Sequence, residues 1–529
     1  SHISGHPVVG AEVFTSNNRE AWQEYPWSMK DQSDWALALG VNRFAYHTFA
    51  HKPLGEEHRP GMTMGPYGVH WDRGQTWWPM VGAYHSYISR CSYMMQQGQA
   101  VSDILYLTPE GAPMVFTPPP DALEENGAIP DKKGYGFDGC SPKMLMERAH
   151  MENGKIVFPG ASSYELLVLP NFETMTPQLL EKIASLVEKG ARIVGSPPSK
   201  SPSLKDYPDC DMQVKKLAEE LWGSLQTPGE ISERSHGEGR IYWGGQLGHL
   251  HANGLYPSYK ETAELLTSLN IQQDFSSANN SIRFGHRRSA DRDIFFVSNR
   301  SEKTQSTICS FRSSGEPELW SGVDGSSRKL TQYQTIDGST TIPLEFLPYQ
   351  SYFVVFDRRK AKEDVRKEGK ENFPTFHSII TLEGAWDVSF DPQYGGPQNI
   401  RFDKLQDWTG HELRGIKYYS GIATYRKTFE LENLEDRRYF IDLGVVRDMA
   451  RVKLNGEELG VVWCAPWQLD LSAALKEGKN ELEIQVANRW INRLLGDSQE
   501  ADADVRTVQF DLSLIHISEP TRLLRRSRM

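Results

Sequence analysis

Glu12 ends an apolar run, Val8-Val9-Gly10-Ala11, and enters a Phe-Thr-Ser-Asn loop; the pattern recurs as Asn42-Arg43-Phe44-Ala45-Tyr46-His47. Short apolar stretches that end in ionisable side chains, separated by a helix, are how a barrel of alternating strands and helices presents catalytic groups at its C-terminal rim. Glu12 is therefore the first candidate for acid–base chemistry. The competing reading is a structural carboxylate paired with Arg19 or Arg43, because ion pairs perturb carboxylates as active sites do. His47 and His51 follow the second stretch and offer hydrogen bonds to substrate hydroxyls or to a carboxylate, or else are ordinary structural histidines. Further on, Trp71, Trp77 and Trp78 carry flat apolar faces of the kind that stack on sugar rings, with core packing as the rival, most of all for Trp78. Asp72 and Arg73 between them read as an orienting pair or as substrate contacts.

The elements that would hold these residues are the closing units of a (β/α) barrel over residues 1–100: strand Val8 to Phe14, a helix near Asp31 to Leu39, strand Asn42 to Phe49, and a helix from Trp78 to Gln97. The long loop from Gly61 to Trp78 is too aromatic to be disordered and reads as a wall of the site. Residues 101–225 change to continuous apolar strands alternating with helices, Ile104–Leu107, Leu166–Leu169 and Arg192–Gly195, a small parallel flavodoxin-like sheet. Thr176, Pro177 and Gly190 punctuate one of its helices. No glycine-rich phosphate loop follows these strands, so no nucleotide is expected. Cys140 invites a nucleophile reading but has no histidine partner in a recognisable pattern.

Alternation with Gly and Ser turns over 226–356 predicts a β-sandwich; His286-Arg287-Arg288 before its first strong strand reads as a solvated turn or, as the lesser alternative, a rim contact to sugar. The charged segment 357–375 reads as a linker. Residues 376–511 are again all-β and predict a jelly-roll sandwich, in which Asn455-Gly456 marks a hairpin because both positions need positive φ. The fold class is thus multidomain α/β plus all-β. Residues 512–529 resemble the translation of a sequencing adapter followed by a basic remnant and are set aside. The 529-residue chain has a formal charge of -11, no long basic patch and no long apolar run. Nucleic acid, an anionic membrane surface and a membrane span are accordingly not expected. Five widely spaced cysteines, 91, 140, 210, 309 and 464, form no metal-ligand or CxxC pattern.

The last domain resembles the sugar-binding jelly roll of glycoside hydrolase family 2, through Tyr419-Ser-Gly-Ile-Ala-Thr-Tyr425-Arg-Lys-Thr-Phe429, Asp442-Leu-Gly444, Val452-Lys-Leu-Asn-Gly456, Trp463-Cys-Ala-Pro-Trp467 and Asn480 to Trp490. Such jelly rolls serve as sugar binders or as structural companions to a barrel. From about residue 5 to 511 the chain resembles the C-terminal half of the α-L-rhamnosidases of glycoside hydrolase family 106. The matching words are Gly10 to Ser16, Leu39 to His51, Pro60 to Gly65, Asp72 to Trp78, and Ser298-Asn299-Arg300.

That resemblance implies an inverting hydrolase of rhamnose-containing oligosaccharides, polysaccharides or glycosides. Glu12 would be the general base, and the general acid would lie on an earlier strand upstream of Ser1, so that the chain by itself would have little activity. The resemblance also implies calcium near the site, with no ligand set assignable, and a periplasmic or extracellular location. The alternatives are a non-catalytic carbohydrate-binding assembly and a β-galactosidase or β-glucuronidase relative. The latter fits worse, because in that family the sandwich precedes the barrel.

Overall fold

The computed structural model describes residues 1–16, 22–63, 68–111, 114–124, 131–132, 134–248, 254–361, 365–499 and 506–511. The tail from 512 therefore lies outside the described residues. Strands Gly10–Val13 and Arg43–Tyr46 pair in parallel, with Glu12 opposite Ala45 and Val13 opposite Tyr46. Helix Lys30–Ala38 connects them, within a residue of the expected span. Gly10, Glu12, Arg43 and Ala45 form an exposed face, whereas Ala11, Val13, Phe44 and Tyr46 turn toward the protein. Among the described residues this sheet has two strands. Helix Gly82–Met95 buries Tyr84, Tyr87, Ile88 and Cys91. Its core takes in Phe14, Trp71 and Trp77 and, from the next sandwich, Ile294, Phe296, Phe353 and Val355.

The parallel sheet runs in the order Gly239–Trp243, Arg192–Val194, Leu166–Val168, Ile104–Leu107, Phe137–Cys140, with Ser232–His236 antiparallel at one edge. Alternate strand residues feed two cores. Leu105, Leu107, Leu167 and Ile193 pack on helices Pro177–Glu188 and Asp209–Trp222. Ile104, Tyr106, Leu166 and Val168 pack on helix Tyr259–Ser268. Thr176 caps the first of these helices by accepting from Leu179 N. This layer continues past residue 225, where the sequence pattern places its end. The hairpin 232–243 looks like sandwich material by alternation alone, but its second strand is buried from both sides against Arg192–Val194.

The sandwich begins at Phe275. One sheet contains 275–277, 305–311, 339–346, 332–336 and 365–368; the other contains 327–329, 316–320, 351–357, 292–299, 282–288 and 99–100. The segment expected to be a charged linker is part of this fold: Val365–Glu368 pairs with Gln332–Thr335 as an edge strand. Charged side chains suit an edge, because they discourage further strand pairing. The C-terminal domain sets a six-stranded antiparallel sheet against the pair Phe440–Asp442 and Gln468–Asp470 around an aromatic core. Asn455 and Gly456 adopt positive φ, 53° and 87°, between strands Met449–Leu454 and Glu457–Val462.

Candidate active site

The loop after the second strand folds back across the ends of both strands. Gly68 N donates to Ser16 O at 2.8 Å, Val69 N to His47 O at 3.0 Å, and Trp71 N to Thr48 O at 2.9 Å. Gly68 has φ +81°, and a side chain there would collide with His47, so a glycine is needed for this crossing. Glu12 stands exposed beside it, and its Oε1 accepts from Thr15 Oγ1 at 2.6 Å. Among the described residues its carboxylate forms no ion pair; Arg43, one of its two expected partners, is exposed on the neighbouring strand, and Arg19 lies outside the described residues.

Behind this rim lies a buried polar cluster. Lys52 Nζ donates to Pro60 O at 2.9 Å, to Met62 O, and faces Asp72 Oδ1 at 3.2 Å. Asp72 Oδ1 also accepts from Gly74 N at 2.7 Å. Burial lifts Asp72 above the usual carboxylate range, against the pull of Lys52, and lowers Lys52 against the pull of Asp72. His70 is pushed down to about 4 by burial, with Lys52 and His47 acting in the same direction, so its ring is neutral at pH 7. Asp72 Oδ2, His70 Nδ1 and His47 Nδ1 are buried and meet no hydrogen-bond partner among the described residues. Lys52 and His70 belong to this constellation without having been singled out as site residues. The interval His70-Trp71-Asp72 within an aromatic loop was the available signal.

The other expected contacts divide. Arg73 is exposed and donates to Lys52 O and Leu54 O at 2.9 and 3.0 Å, which holds residues 52–54 rather than Asp72. His51 is exposed on the same stretch. Trp71 and Trp77, expected to stack on sugar, are 3% and 0% exposed. Trp71 is stacked on Tyr46 at 4.5 Å and on Tyr84 at 5.7 Å, with Trp77 edge-on at 5.6 Å. They form the hydrophobic floor of the rim, and no ring face is left for a ligand. Trp78 is half-buried. Residues 64–67 of the aromatic loop lie outside the described residues.

Two readings from sequence fall away. Cys140 is buried, and burial raises its thiol to about 12, so it is no nucleophile. His286 and Arg287 are buried rather than in a solvated turn or on a sugar-facing rim. His286 bridges Asp274 and Asp293 at 2.9 and 3.1 Å, and Arg312 joins Asp274 to Asp103 at 3.1 and 2.8 Å. Burial opposes the charge on His286, but the two carboxylates outweigh it and raise its pKa. The network ties the sandwich to the start of strand Ile104–Leu107. Ser298, one of the words carrying the resemblance, donates to Asp34 at 2.9 Å, and Asp34 pairs with the buried Lys30 at 2.7 Å. It anchors the helix between the two site strands.

Among the described residues no three His, Cys, Asp or Glu side chains converge to hold a metal ion. No helix among them is long and apolar enough to cross a membrane.

Comparison with known proteins gives the family. A sequence model of the glycoside hydrolase family 106 α-L-rhamnosidases matches residues 1–335, and one of the family 2 galactose-binding-like domain matches residues 410–522. The solved rhamnosidase from Novosphingobium sp. PP1Y superposes with a TM-score of 0.79 at 30% identity, over 96% of this chain and 46% of that one. A Formosa agariphila protein provisionally named a β-glucuronidase is 25% identical over 94% of this chain and 58% of its own length. The chain thus spans about half the length of these relatives. It belongs to glycoside hydrolase family 106, the α-L-rhamnosidases.

Proposed function

We propose that this chain is the part of an inverting α-L-rhamnosidase that carries the general base, Glu12. The observation that supports this most is the placement of Glu12: an exposed carboxylate on a strand end, oriented by Thr15 and paired with no cation among the described residues. An ion-paired structural carboxylate would be neutralised where it stands, whereas a base must meet a water molecule.

In an inverting hydrolase the base removes a proton from water as it attacks the anomeric carbon, while an acid about 6.5–9.5 Å away protonates the departing oxygen. The exposed face of Gly10, Glu12, Arg43 and Ala45 fits the inner wall of a (β/α) barrel completed by further strands. The relatives' greater length fits a general acid supplied from outside residues 1–529. The parallel layer is of flavodoxin-like type, and the C-terminal domain is of jelly-roll type. Calcium would be held by groups beyond those described. The substrate class, terminal α-L-rhamnosides of oligosaccharides, polysaccharides or glycosides, implies a periplasmic or extracellular site of action.

His47 lies just beyond the strand opposite Glu12 and would meet the sugar by the ring edge away from its Nδ1, which is buried under Gly68; His51 and Arg73 line the outer edge. Lys52, Asp72 and His70 form the polar backing that sets the loop. The test is hydrolysis of an aryl α-L-rhamnoside by the complete protein, by its Glu12→Gln variant and by the 529-residue chain alone. The reading expects turnover in the first and little or none in the other two. Robust turnover by the 529-residue chain would overturn the missing acid, and an unchanged rate in Glu12→Gln would overturn the base.

A further inference from the structure

Asn488, Arg489 and Trp490 follow the long strand Gly478–Ala487 of the C-terminal domain, and each touches a different point on the two loops that leave the paired site strands. Asn488 O accepts from Thr76 Oγ1. Arg489 donates to Gln23 O at 2.8 Å, and its guanidinium lies 4.7 Å over the Tyr25 ring. Trp490 Nε1 donates to Gly74 O at 2.7 Å.

The three residues are themselves fixed from inside their own domain. Asn488 donates to Tyr419 O at 2.8 Å and accepts from Gly421 N at 3.0 Å. Arg489 O accepts from Ser420 Oγ at 2.8 Å, and its Nε faces Asp448 Oδ2 at 2.9 Å. Asp448 and Trp490 are 0% and 1% exposed. With its ring buried and its one N–H engaged, Trp490 has no face to offer a sugar.

We propose that Asn488-Arg489-Trp490 is the positioning element of the site: Arg489 fixes the stretch that follows Glu12, while Trp490 and Asn488 fix Gly74–Thr76 behind Asp72. The proposal rests on the reading of Glu12 as base and extends it by giving the C-terminal domain a part in catalysis through geometry rather than sugar contact. Loops that leave a sheet edge are its least constrained segments, and a catalytic group misplaced by an ångström loses much of its rate. Buried hydrogen bonds from a separate, rigid domain to both loops supply that constraint.

The variants are Trp490→Phe, which keeps an aromatic six-membered ring and removes the donor with the rest of the indole; Arg489→Ala combined with Asp448→Asn, which avoids stranding a buried charge; and Arg489→Lys. Amide hydrogen exchange in the 529-residue chain is the first readout. Trp490→Phe should exchange about tenfold faster in 68–78 alone and the Arg489→Ala, Asp448→Asn variant in 22–29 alone, and Arg489→Lys should keep part of the protection at 22–29. In the complete protein the same variants should lower kcat about tenfold with KM within twofold. Unchanged exchange in both loops, loosening spread through the whole C-terminal domain, or loosened loops with a normal kcat would each overturn the proposal. Local loosening in the variants, together with a complete wild-type protein that does not cleave rhamnosides, would uphold the clamp and overturn the catalytic reading instead.

Discussion

The Asp274–His286–Asp293 network and the Lys52–Asp72–His70 cluster are built from the same kinds of side chain, yet one is saturated and the other is not. Both ring nitrogens of His286 have carboxylate partners, and Asp293 also accepts from Ser313 at 2.9 Å. In the second cluster Asp72 Oδ2 and His70 Nδ1 are buried without a partner among the described residues. The Asp274–His286–Asp293 triad has the character of a joint, since each of its polar side-chain atoms is answered in place, although Asp103 Oδ2 at the far end of Arg312 is not. A cluster with spare donors and acceptors, next to an exposed carboxylate, has the character of a site, whose remaining valences are met by water or ligand. Buried titratable groups alone would not distinguish the two.

The sharpest way to break this contrast is to delete the centre of the joint. His286→Ala should cost about 2–4 kcal/mol, because it takes the central partner from two buried carboxylates and leaves Asp274 with Arg312 and Asp293 with Arg288 and Ser313, and chemical denaturation would measure it. A loss below 1 kcal/mol would mean that the network does not hold the two layers together.

A second pair of expectations concerns pH. Asp448 faces Arg489 at the boundary with the site loops, and burial raises it to about 7 despite the opposing arginine. A raised carboxylate stabilises the fold while protonated, so its contribution, on the order of 4 kcal/mol, should be lost as pH climbs from about 4 through 7. Asp448→Asn should remove that slope from a stability–pH curve. His70 has the opposite sign. Its lowered value of about 4 means that stability on the order of 3 kcal/mol, present above pH 6.5, is lost as pH falls through 4. His70→Phe should flatten the acid limb, and an unaltered limb would place the sensitivity elsewhere. The smallest effect should come from Arg73→Ala: the side chain is exposed, and its loss should cost within about 1 kcal/mol while loosening residues 52–54 in hydrogen exchange.

Local chemistry made much of this architecture legible from sequence. Helix Pro177–Glu188 follows from its Thr176 cap and Pro177, and the hairpin at Asn455-Gly456 from its need for positive φ. Glu12 and His47 stand at strand ends because short apolar runs stop where they do. What stayed hidden depends on partners on other elements, which no local motif announces. The ring of Trp71 looks like a sugar platform until Tyr46 and Tyr84 stack on it, and that of Trp77 until it is buried edge-on against Trp71. His286-Arg287-Arg288 looks solvated until Asp274 and Asp293 are brought to it. Charged Val365–Glu368 reads as a linker because an edge strand buries little of its surface. Arg489 and Trp490 reveal their role only through contacts with Gln23 and Gly74, more than 400 positions away.

The most direct test of the central claim is the rate of aryl α-L-rhamnoside hydrolysis by the complete protein and by its Glu12→Gln variant, with folding checked by thermal unfolding. A general base predicts a fall in kcat of about three decades or more with the fold intact, whereas a kcat within a few-fold of wild type would show that Glu12 is structural and that the base lies elsewhere.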